Sequence, residues 1–367
     1  MKKLCCLLVA VFCTLLFVPV ERAWAAADPQ LSADAAVLLD YQSGVVLYSF
    51  NATEPLPPAS TTKILAGLLS LEMGDGNETV EIDQYSASTE GTSLYLKAGQ
   101  KYSLYDITKG ALINSGNDAA AAIAIHMAGS EEQFASLMNY KARTIGCWQN
   151  CFCNPHGLSQ TGHEVSALDL AKITRYALHN KDFRQIVRTR SDRINELSGE
   201  DSIELYNTNR LLGCKEGDLQ VIGVKTGTTD EAGQCLVAAA QYNGQILLSV
   251  VLGSGDRYTD TLRLFEYGTS NCYYTAAKGE TLLYQVPVKW GTHSTVAVGP
   301  AKDISIFVSP RQLPRLDKKI SIESELRAPC RKGEPVGKVE ISLGNSIINV
   351  TELVTLEDVD GRFFWMK

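Results

Sequence analysis

Periodic runs of apolar residues predict alternating strands and helices over the first three quarters of the chain. Ala35–Asp40 and Val45–Phe50 are apolar runs joined by a glycine-containing turn, which predicts a β-hairpin. From Ser60 onward the apolar residues recur every three or four positions, which predicts a helix. The alanine-rich segment 103–127 predicts two helices with a kink at 115–117. Further helices are predicted at Glu131–Ile145, Ser166–His179 and Asp256–Tyr267.

Three β-type runs follow at the end of this region. They lie at Val221–Lys225, Gln234–Gln241 and Gln245–Leu252, and Asn243-Gly244 between the last two is a typical hairpin turn. Strands therefore occur at both ends of the region, with helices between them. This pattern favours an α+β fold in which helices pack on an antiparallel sheet.

The pattern changes near residue 275. From Thr281 onward short alternating runs are separated by proline and glycine, which predicts a small all-β C-terminal domain. The predicted strands are Leu282–Val288, Ile304–Val308, Lys319–Ile322, Gly337–Leu343 and Ser346–Val350. We therefore predict a first domain at 28–274 and a C-terminal β-rich domain at 275–367.

The first 27 residues have the pattern of a secretory signal peptide. Two lysines precede an apolar run of 15 residues, Leu4–Val18, and Ala23-Trp24-Ala25 is a typical cleavage site. The run is short for a membrane span, which needs about 20 residues. We expect an exported protein that works outside the cytosol; an uncleaved anchor is the alternative. Cleavage would leave 10 − 3 = 7 cysteines.

Composition and charge narrow the function classes. Hydrophobic residues make up 45% of the 367 residues and charged residues 20%, which excludes a disordered chain. The chain has 34 Lys and Arg against 41 Asp and Glu, a net charge of −7. A basic surface for nucleic acid is therefore not expected.

Ser60 and Lys63 are the first candidate functional residues. They lie three positions apart at the predicted start of a helix and so share one face of it. A serine hydroxyl becomes a nucleophile when a base takes its proton, and burial can lower a lysine pKa enough for this task. In isolation, Ser60 could equally be an N-cap residue.

Ser115 and Asn117 are the second candidate cluster, at the predicted break in the alanine-rich stretch. A hydroxyl and an amide at this position could relay a proton and hold a substrate amide. Taken alone, Ser115-Gly116-Asn117 would equally suit a turn between two helices.

The third cluster is Lys225-Thr226-Gly227-Thr228, which we interpret as the end of a strand. The lysine and the hydroxyls could bind a carboxylate, and Gly227 would let a substrate approach the strand backbone. Taken alone, this segment would equally suit an ordinary strand end.

In this order and context the three clusters match the S-x-x-K, S-x-N and K-T-G motifs of penicillin-binding proteins and class A β-lactamases. The chain resembles the D-alanyl-D-alanine carboxypeptidases, the low-molecular-mass penicillin-binding proteins. The resemblance covers 58–72, 90–129, 154–175 and 222–268, and more loosely 282–364. It implies a β-lactamase/transpeptidase-like fold followed by the family's C-terminal β domain.

The resemblance also implies roles for the motif residues. Ser60 would be the acylated nucleophile and Lys63 its base, while Ser115 would relay protons and Asn117 hold the substrate. The reaction would release the terminal D-alanine from a peptidoglycan stem peptide through an acyl-enzyme. Penicillins and other β-lactams would acylate Ser60 in the same way.

Lys225, Thr226 and Gly227 match the third motif, and the resemblance implies that Lys225 and Thr226 lie near the substrate carboxylate. The backbone N–H groups of Ser60 and Thr228 would form the oxyanion hole. No metal or organic cofactor is implied.

Three alternatives remain open from the sequence. A D,D-endopeptidase acting on cross-linked peptidoglycan would use the same residues. A class A β-lactamase needs a Glu-x-x-Leu-Asn loop, and the nearest candidate, Glu164–Asp169, has the wrong spacing. A non-catalytic wall-binding protein would lack a catalytic residue, and none is missing from the three motifs.

Two features depart from what we expect of the family. Cys147, Cys151 and Cys153 precede a Pro-His-Gly turn, where a disulfide or free thiols fit better than zinc because the spacing matches no common zinc site. His156 and His163 near this turn are interpreted as structural. The sequence ends in an aromatic-basic segment at 361–367, which leaves peripheral membrane contact through the C-terminus open.

Overall fold

The computed structural model describes residues 28–199 and 201–362, so the predicted signal peptide and residues 363–367 lie outside the described residues. Its helices are α1 Lys63–Met73, α2 Gln84–Ala87, α3 Leu104–Ile113, α4 Asn117–Ala128, α5 Glu131–Thr144, α6 Ala167–Ala177, α7 Lys181–Val187 and α8 Arg257–Asn271. Short 3-10 helices lie at Ala59–Thr62 and Leu313–Arg315.

The strands are numbered in chain order. Those up to residue 206 are β1 Ala35–Asp40, β2 Val46–Phe50, β3 Pro55–Leu56, β4 Thr79–Glu81, β5 Lys101–Ser103, β6 Asn150–Cys151, β7 Glu164–Ser166, β8 Ser191–Asn195 and β9 Ser202–Tyr206. The later strands are β10 Lys215–Glu216, β11 Leu219–Thr229, β12 Gly233–Tyr242, β13 Gln245–Ser254, β14 Tyr273–Ala277, β15 Tyr284–Lys289, β16 Thr295–Pro300, β17 Ile304–Phe307, β18 Leu316–Ile322, β19 Leu326–Arg327, β20 Pro335–Leu343 and β21 Ser346–Thr355.

A six-stranded antiparallel sheet forms the centre of the first region. Its order is β10-β11-β12-β13-β1-β2, so the N-terminal hairpin adds to the last strands of the region. Both predicted hairpins are present. The turn between β12 and β13 places Asn243 and Gly244 at φ of 47° and 76°, the left-handed conformation that this turn sequence favours.

Both faces of this sheet are buried, because alternate residues of each strand contact different helices. On one face Val37 and Val250 belong to a large apolar core that includes Ile64 of α1 and Leu112 of α3. On the other face the neighbouring strand residues pack against Phe265 of α8. The predicted α+β fold class is therefore confirmed.

Two predicted element ends differ from the structure. The strand carrying Lys225 does not end at the Lys-Thr-Gly motif; β11 continues to Thr229 because its pairing with β12 extends through Gly233. The last helix, α8, continues past Tyr267 to Asn271. It passes through Gly268, where a Cβ would stand 2.9 Å from a methyl group of Leu38 and crowd the helix–sheet packing.

The C-terminal part is all-β, as predicted. Its main sheet has the order β18-β20-β21-β16-β15-β19 and includes β16, a strand that the sequence pattern did not predict. Strand β14 spans the predicted boundary at 274 and 275 and pairs with β17, so that boundary stays a prediction. Phe307 of β17 contacts Tyr273 and Tyr242, which joins the two parts of the chain. Among the described residues, no helix has both the length and the apolarity needed to cross a membrane.

Candidate active site

Ser60 lies in the 3-10 turn Ala59–Thr62 that leads into α1, so the α-helix begins at Lys63 rather than at Ser60. Ala59 has a φ of 49°, a left-handed conformation that costs a non-glycine residue about 1–2 kcal/mol. No side-chain cap hydrogen bond occurs at either helix start. The alternative that Ser60 serves as an N-cap is therefore wrong.

The amine of Lys63 is fully buried and has three polar contacts. Its Nζ lies 2.9 Å from Ser60 Oγ, 2.6 Å from Asn117 Oδ1 and 2.7 Å from the backbone oxygen of His156. Burial lowers the pKa of Lys63 well below its usual value, and the charge of Lys225 lowers it further, against the opposing effect of Asp118. The environment therefore favours a neutral amine.

A neutral amine has two N–H donors and one lone pair, which determines the direction of these contacts. Asn117 Oδ1 and the His156 carbonyl can only accept, so they take both N–H groups of Lys63. The lone pair then faces Ser60 Oγ, which donates its proton. The contacts around Lys63 thus orient it as an acceptor for the hydroxyl proton of Ser60.

Asn117 is held in the orientation that this arrangement requires. Its Nδ2 donates to the backbone oxygen of Glu90 at 2.6 Å, which leaves Oδ1 for Lys63. The next residue, Asp118, is fully buried and accepts from the backbone N–H groups of Leu94 and Leu96. This carboxylate at the start of α4 fixes the loop that covers the helix N-terminus.

Ser115 connects the second motif to the third. It lies between α3 and α4 at a φ of 67°, and its Oγ accepts from Lys225 Nζ at 2.8 Å. Lys225 also donates to the backbone oxygen of Thr226 at 3.0 Å and is buried. Burial lowers the pKa of Lys225 to about 7, and the positive charge of Arg257 acts in the same direction.

Strand β11 passes very close to Ser60. A Cβ on Gly227 would stand 2.9 Å from the backbone nitrogen of Ser60 and 2.9 Å from the Pro58 carbonyl, so only glycine allows this approach. Thr226 Oγ1 lies 2.6 Å from Thr208 Oγ1, and Thr228 is exposed beside the motif. The structure thus brings the first and third motifs together.

Sequence reasoning missed several groups that hold this site. Arg257 donates to the Gly227 carbonyl at 2.6 Å and to Thr228 Oγ1 at 2.7 Å, and an isolated arginine carries no motif that could have indicated this. The His156 carbonyl was also missed. Its Pro-His-Gly turn was a usable signal, because Gly157 has a φ of 87° and a Cβ there would overlap the Ala59 carbonyl.

The histidine and cysteine predictions have mixed outcomes. His163 is buried beside Thr62, at 2.8 Å from its Oγ1, in keeping with a structural role. All seven cysteines of the described residues are free thiols, so the disulfide alternative for the cluster is not found. Within 28–199 and 201–362 no group of three or more metal-binding side chains occurs. The expectation that the protein needs no metal stays a prediction.

The segment weighed as a β-lactamase loop does not supply a base in this structure. Glu164 is an exposed residue of β7. Asp169 lies in the first turn of α6, and its carboxylate accepts a hydrogen bond from the backbone N–H of Gln149 at 2.6 Å. Neither carboxylate contacts Ser60 or Lys63.

The fold and the Ser60–Lys63 pair define a serine-type hydrolase of the penicillin-binding protein class. The family model described as D-alanyl-D-alanine carboxypeptidase matches residues 22–256, and the model described as the penicillin-binding protein 5 C-terminal domain matches 274–361. The chain therefore belongs to the D-alanyl-D-alanine carboxypeptidase family, which confirms the predicted family, fold class and enzyme class.

Individual relatives cover nearly the whole chain. D-alanyl-D-alanine carboxypeptidase DacC of Escherichia coli is 33% identical over 92% of this chain and 86% of its own length. DacF of Bacillus subtilis is 31% identical over 89% of this chain and 86% of its own length. Penicillin-binding protein 5 of Haemophilus influenzae has a similar solved structure, with a TM-score of 0.64, 27% identity, and coverage of 91% of this chain and 99% of that one.

Proposed function

We propose that this protein is a serine D-alanyl-D-alanine carboxypeptidase that removes the terminal D-alanine from peptidoglycan stem pentapeptides and is acylated by penicillins. The observation that carries the proposal is the contact set of Lys63. Both N–H groups meet acceptors, and the lone pair faces the hydroxyl of Ser60. Ser60 is half-buried and lies beside a desolvated amine. In this arrangement the amine can act as the general base for a serine nucleophile, in place of a histidine.

In acylation, Ser60 Oγ attacks the carbonyl carbon of the scissile D-Ala–D-Ala bond while its proton passes to Lys63. The backbone N–H groups of Ser60 and Thr228 stabilise the negative oxygen. The C–N bond then breaks, and Ser115 relays a proton to the nitrogen of the departing D-alanine, giving up its own proton and taking the one that Lys63 received from Ser60. Water hydrolyses the resulting ester, which returns the hydroxyl of Ser60 and releases the shortened peptide.

Substrate binding is assigned to Asn117 and the third motif. Asn117 lies between Lys63 and the Glu90 carbonyl, where its amide can also meet the peptide. Lys225 and Thr226 supply the positive charge and the hydroxyl for the terminal carboxylate, and Gly227 admits the substrate backbone. Arg257 adds a second positive charge behind Thr228.

The test compares two synthetic substrates, a stem pentapeptide and a cross-linked peptide dimer, with the products separated by liquid chromatography. We expect D-alanine and tetrapeptide from the first and little cleavage of the second. Faster cleavage of the dimer would replace carboxypeptidase with endopeptidase activity. Failure to cleave either substrate or to bind penicillin would leave a wall-binding protein.

The pH dependence of kcat/KM should report the free-enzyme ionisations of the two buried lysines. Because the pKa of Lys225 is about 7, the charge that receives the substrate carboxylate is lost as the pH rises through that value, so kcat/KM falls on the alkaline side. On the acidic side it falls as Lys63 gains a proton and loses its lone pair.

The variant Lys225→Arg keeps its charge at all these pH values and should lose the alkaline fall, whatever its absolute rate. The exposed Lys318 in β18 offers the control Lys318→Arg, which should retain the wild-type profile. An alkaline fall that persists in Lys225→Arg would contradict the assignment to Lys225.

The same proposal places the protein outside the cytoplasm, where its peptidoglycan substrate lies, with the segment 1–27 as an export signal. We further propose that the aromatic-basic segment 361–367 contacts the membrane surface peripherally. Flotation with anionic vesicles, comparing the full chain with a chain ending at residue 361, would test it.

A further inference from the structure

Cys151 and Cys153 form a pair of thiols that the proposed reaction does not use. Their Sγ atoms lie 3.9 Å apart; Cys151 is exposed and Cys153 is half-buried. Among the other described cysteines only Cys214 is exposed, while the rest are buried. The pair is therefore the one place in the described residues where two accessible thiols stand side by side.

The backbone of Cys153 is connected to the helix start that carries Lys63. Its N–H donates to His163 Nδ1 at 3.0 Å, and His163 Nε2 lies 2.8 Å from Thr62 Oγ1. Burial lowers the pKa of His163 to about 4, so the ring is neutral. Because Nδ1 accepts, the proton is on Nε2 and is donated to Thr62, the residue before Lys63.

A second connection runs through the residue after Cys153. Asn154 Oδ1 accepts from the Gly157 N–H at 2.7 Å, and Asn154 Nδ2 donates to the Leu158 carbonyl at 3.0 Å. These bonds shape the turn that presents the His156 carbonyl to Lys63 at 2.7 Å. Two routes of direct contact thus join the thiol pair to the amine beside Ser60.

We infer that Cys151 and Cys153 are a modification site: a dithiol that forms an intramolecular disulfide by exchange with an external disulfide and thereby slows acylation of Ser60. The second half rests on the proposed function. In the exchange, the Cys151 thiolate attacks a disulfide RSSR and releases one RSH. The thiolate of Cys153 then attacks the mixed disulfide, which releases the second RSH and leaves the protein disulfide.

The oxidant is a small-molecule disulfide of the glutathione type or a protein disulfide carrier. Disulfides form and persist in extracytoplasmic compartments, which are oxidising. The exposed Cys151 is the accessible first nucleophile. Both cysteines are consumed as thiols, so the protein loses two hydrogen atoms and the oxidant gains them.

Closing the disulfide requires the sulfurs to move from 3.9 Å to about 2.05 Å. Cys151 is held in β6 by its pairing with Glu164 of β7, so the movement falls mainly on Cys153. Cys153 also gives up its S–H contact with the Thr161 carbonyl. We therefore expect its N–H to shift relative to His163, and the Asn154 turn to shift with it.

The experiment equilibrates the full-length mature protein with mixtures of reduced and oxidised glutathione. Free thiols are then alkylated, peptides are analysed by mass spectrometry, and acylation is followed with a fluorescent penicillin in stopped flow. We expect a disulfide between Cys151 and Cys153 and slowing of acylation by about tenfold to a hundredfold, since a displacement of about 1 Å at a catalytic group can slow a reaction about 10²-fold. A reducing agent should restore the rate.

Controls separate this site from the other thiols. The variant Cys214→Ser should respond like the wild type, whereas Cys151→Ser should acylate normally and be insensitive to oxidised glutathione. Absence of the Cys151–Cys153 disulfide, or its formation with an unchanged acylation rate, would overturn the proposal. A reduced protein that never acylates would instead contradict the proposed function, because the disulfide is detected independently by mass.

Discussion

Ser60→Ala is expected to abolish penicillin acylation and to lower D-alanine release by a factor on the order of 10⁶, the size of effect found when the nucleophile of a serine protease is removed. In the proposed mechanism the hydroxyl of Ser60 accepts the acyl group, and an alanine methyl group cannot replace it. Intact-mass spectrometry after benzylpenicillin treatment measures the loss as the missing adduct.

The fold should tolerate this change. Ser60 is half-buried, and among the described residues its side chain makes one hydrogen bond, to Lys63. In the variant, Lys63 keeps both of its acceptors, Asn117 and the His156 carbonyl. Near-UV circular dichroism and the thermal midpoint should therefore match the wild type.

An exposed serine provides the matched control for this experiment. Ser136 lies on the outer face of α5, so Ser136→Ala should label fully with penicillin. A stoichiometric penicillin adduct on Ser60→Ala, mapped to a different serine, would refute the assignment of the nucleophile.

Lys63→Arg is expected to acylate about 10² to 10⁴ times more slowly than the wild type, the usual contribution of a general base. Arginine still offers N–H donors to Asn117 and to the His156 carbonyl, but a guanidinium is charged at every relevant pH and has no lone pair to offer. If Lys63 acted only by holding these acceptors, the substitution would be mild.

A second substitution separates the base from the packing at this buried position. Lys63→Met keeps the length of the side chain and removes both the donors and the lone pair, so it should be as slow as the arginine variant. Stopped-flow acylation and the thermal midpoint should be measured on both variants. An arginine variant whose acylation rate stays within about tenfold of the wild-type rate would show that Lys63 is not the base, because a general base contributes about 10² to 10⁴.

The motifs and the order of the main elements were readable from the sequence because they depend on local pattern. The helix that follows Ser60, the break at 115–117 and the Asn243-Gly244 hairpin each rest on neighbouring residues. The S-x-x-K spacing also implies one helix face without any tertiary information. These local features were enough to predict the class of protein.

The remaining details depend on residues far apart in the chain. That β11 continues through Lys225 to Thr229 was decided by its partner β12, and that α8 passes through Gly268 was decided by Leu38 across the sheet. Strand β16 exists because β15 and β21 flank it. Periodicity within one segment cannot report a hydrogen-bonding partner contributed by another segment.

The sequence by itself predicted which residue types carry the chemistry, namely two serines, two lysines and an asparagine in three ordered motifs. Only the tertiary structure decided the ionisation and direction of those groups. Lys63 favours the neutral form because it is buried near Lys225, and its lone pair faces Ser60 because Asn117 and the His156 carbonyl occupy its N–H groups. Burial and hydrogen-bond direction are properties of the packed chain, because they arise only when segments 54 and 93 residues away meet one amine.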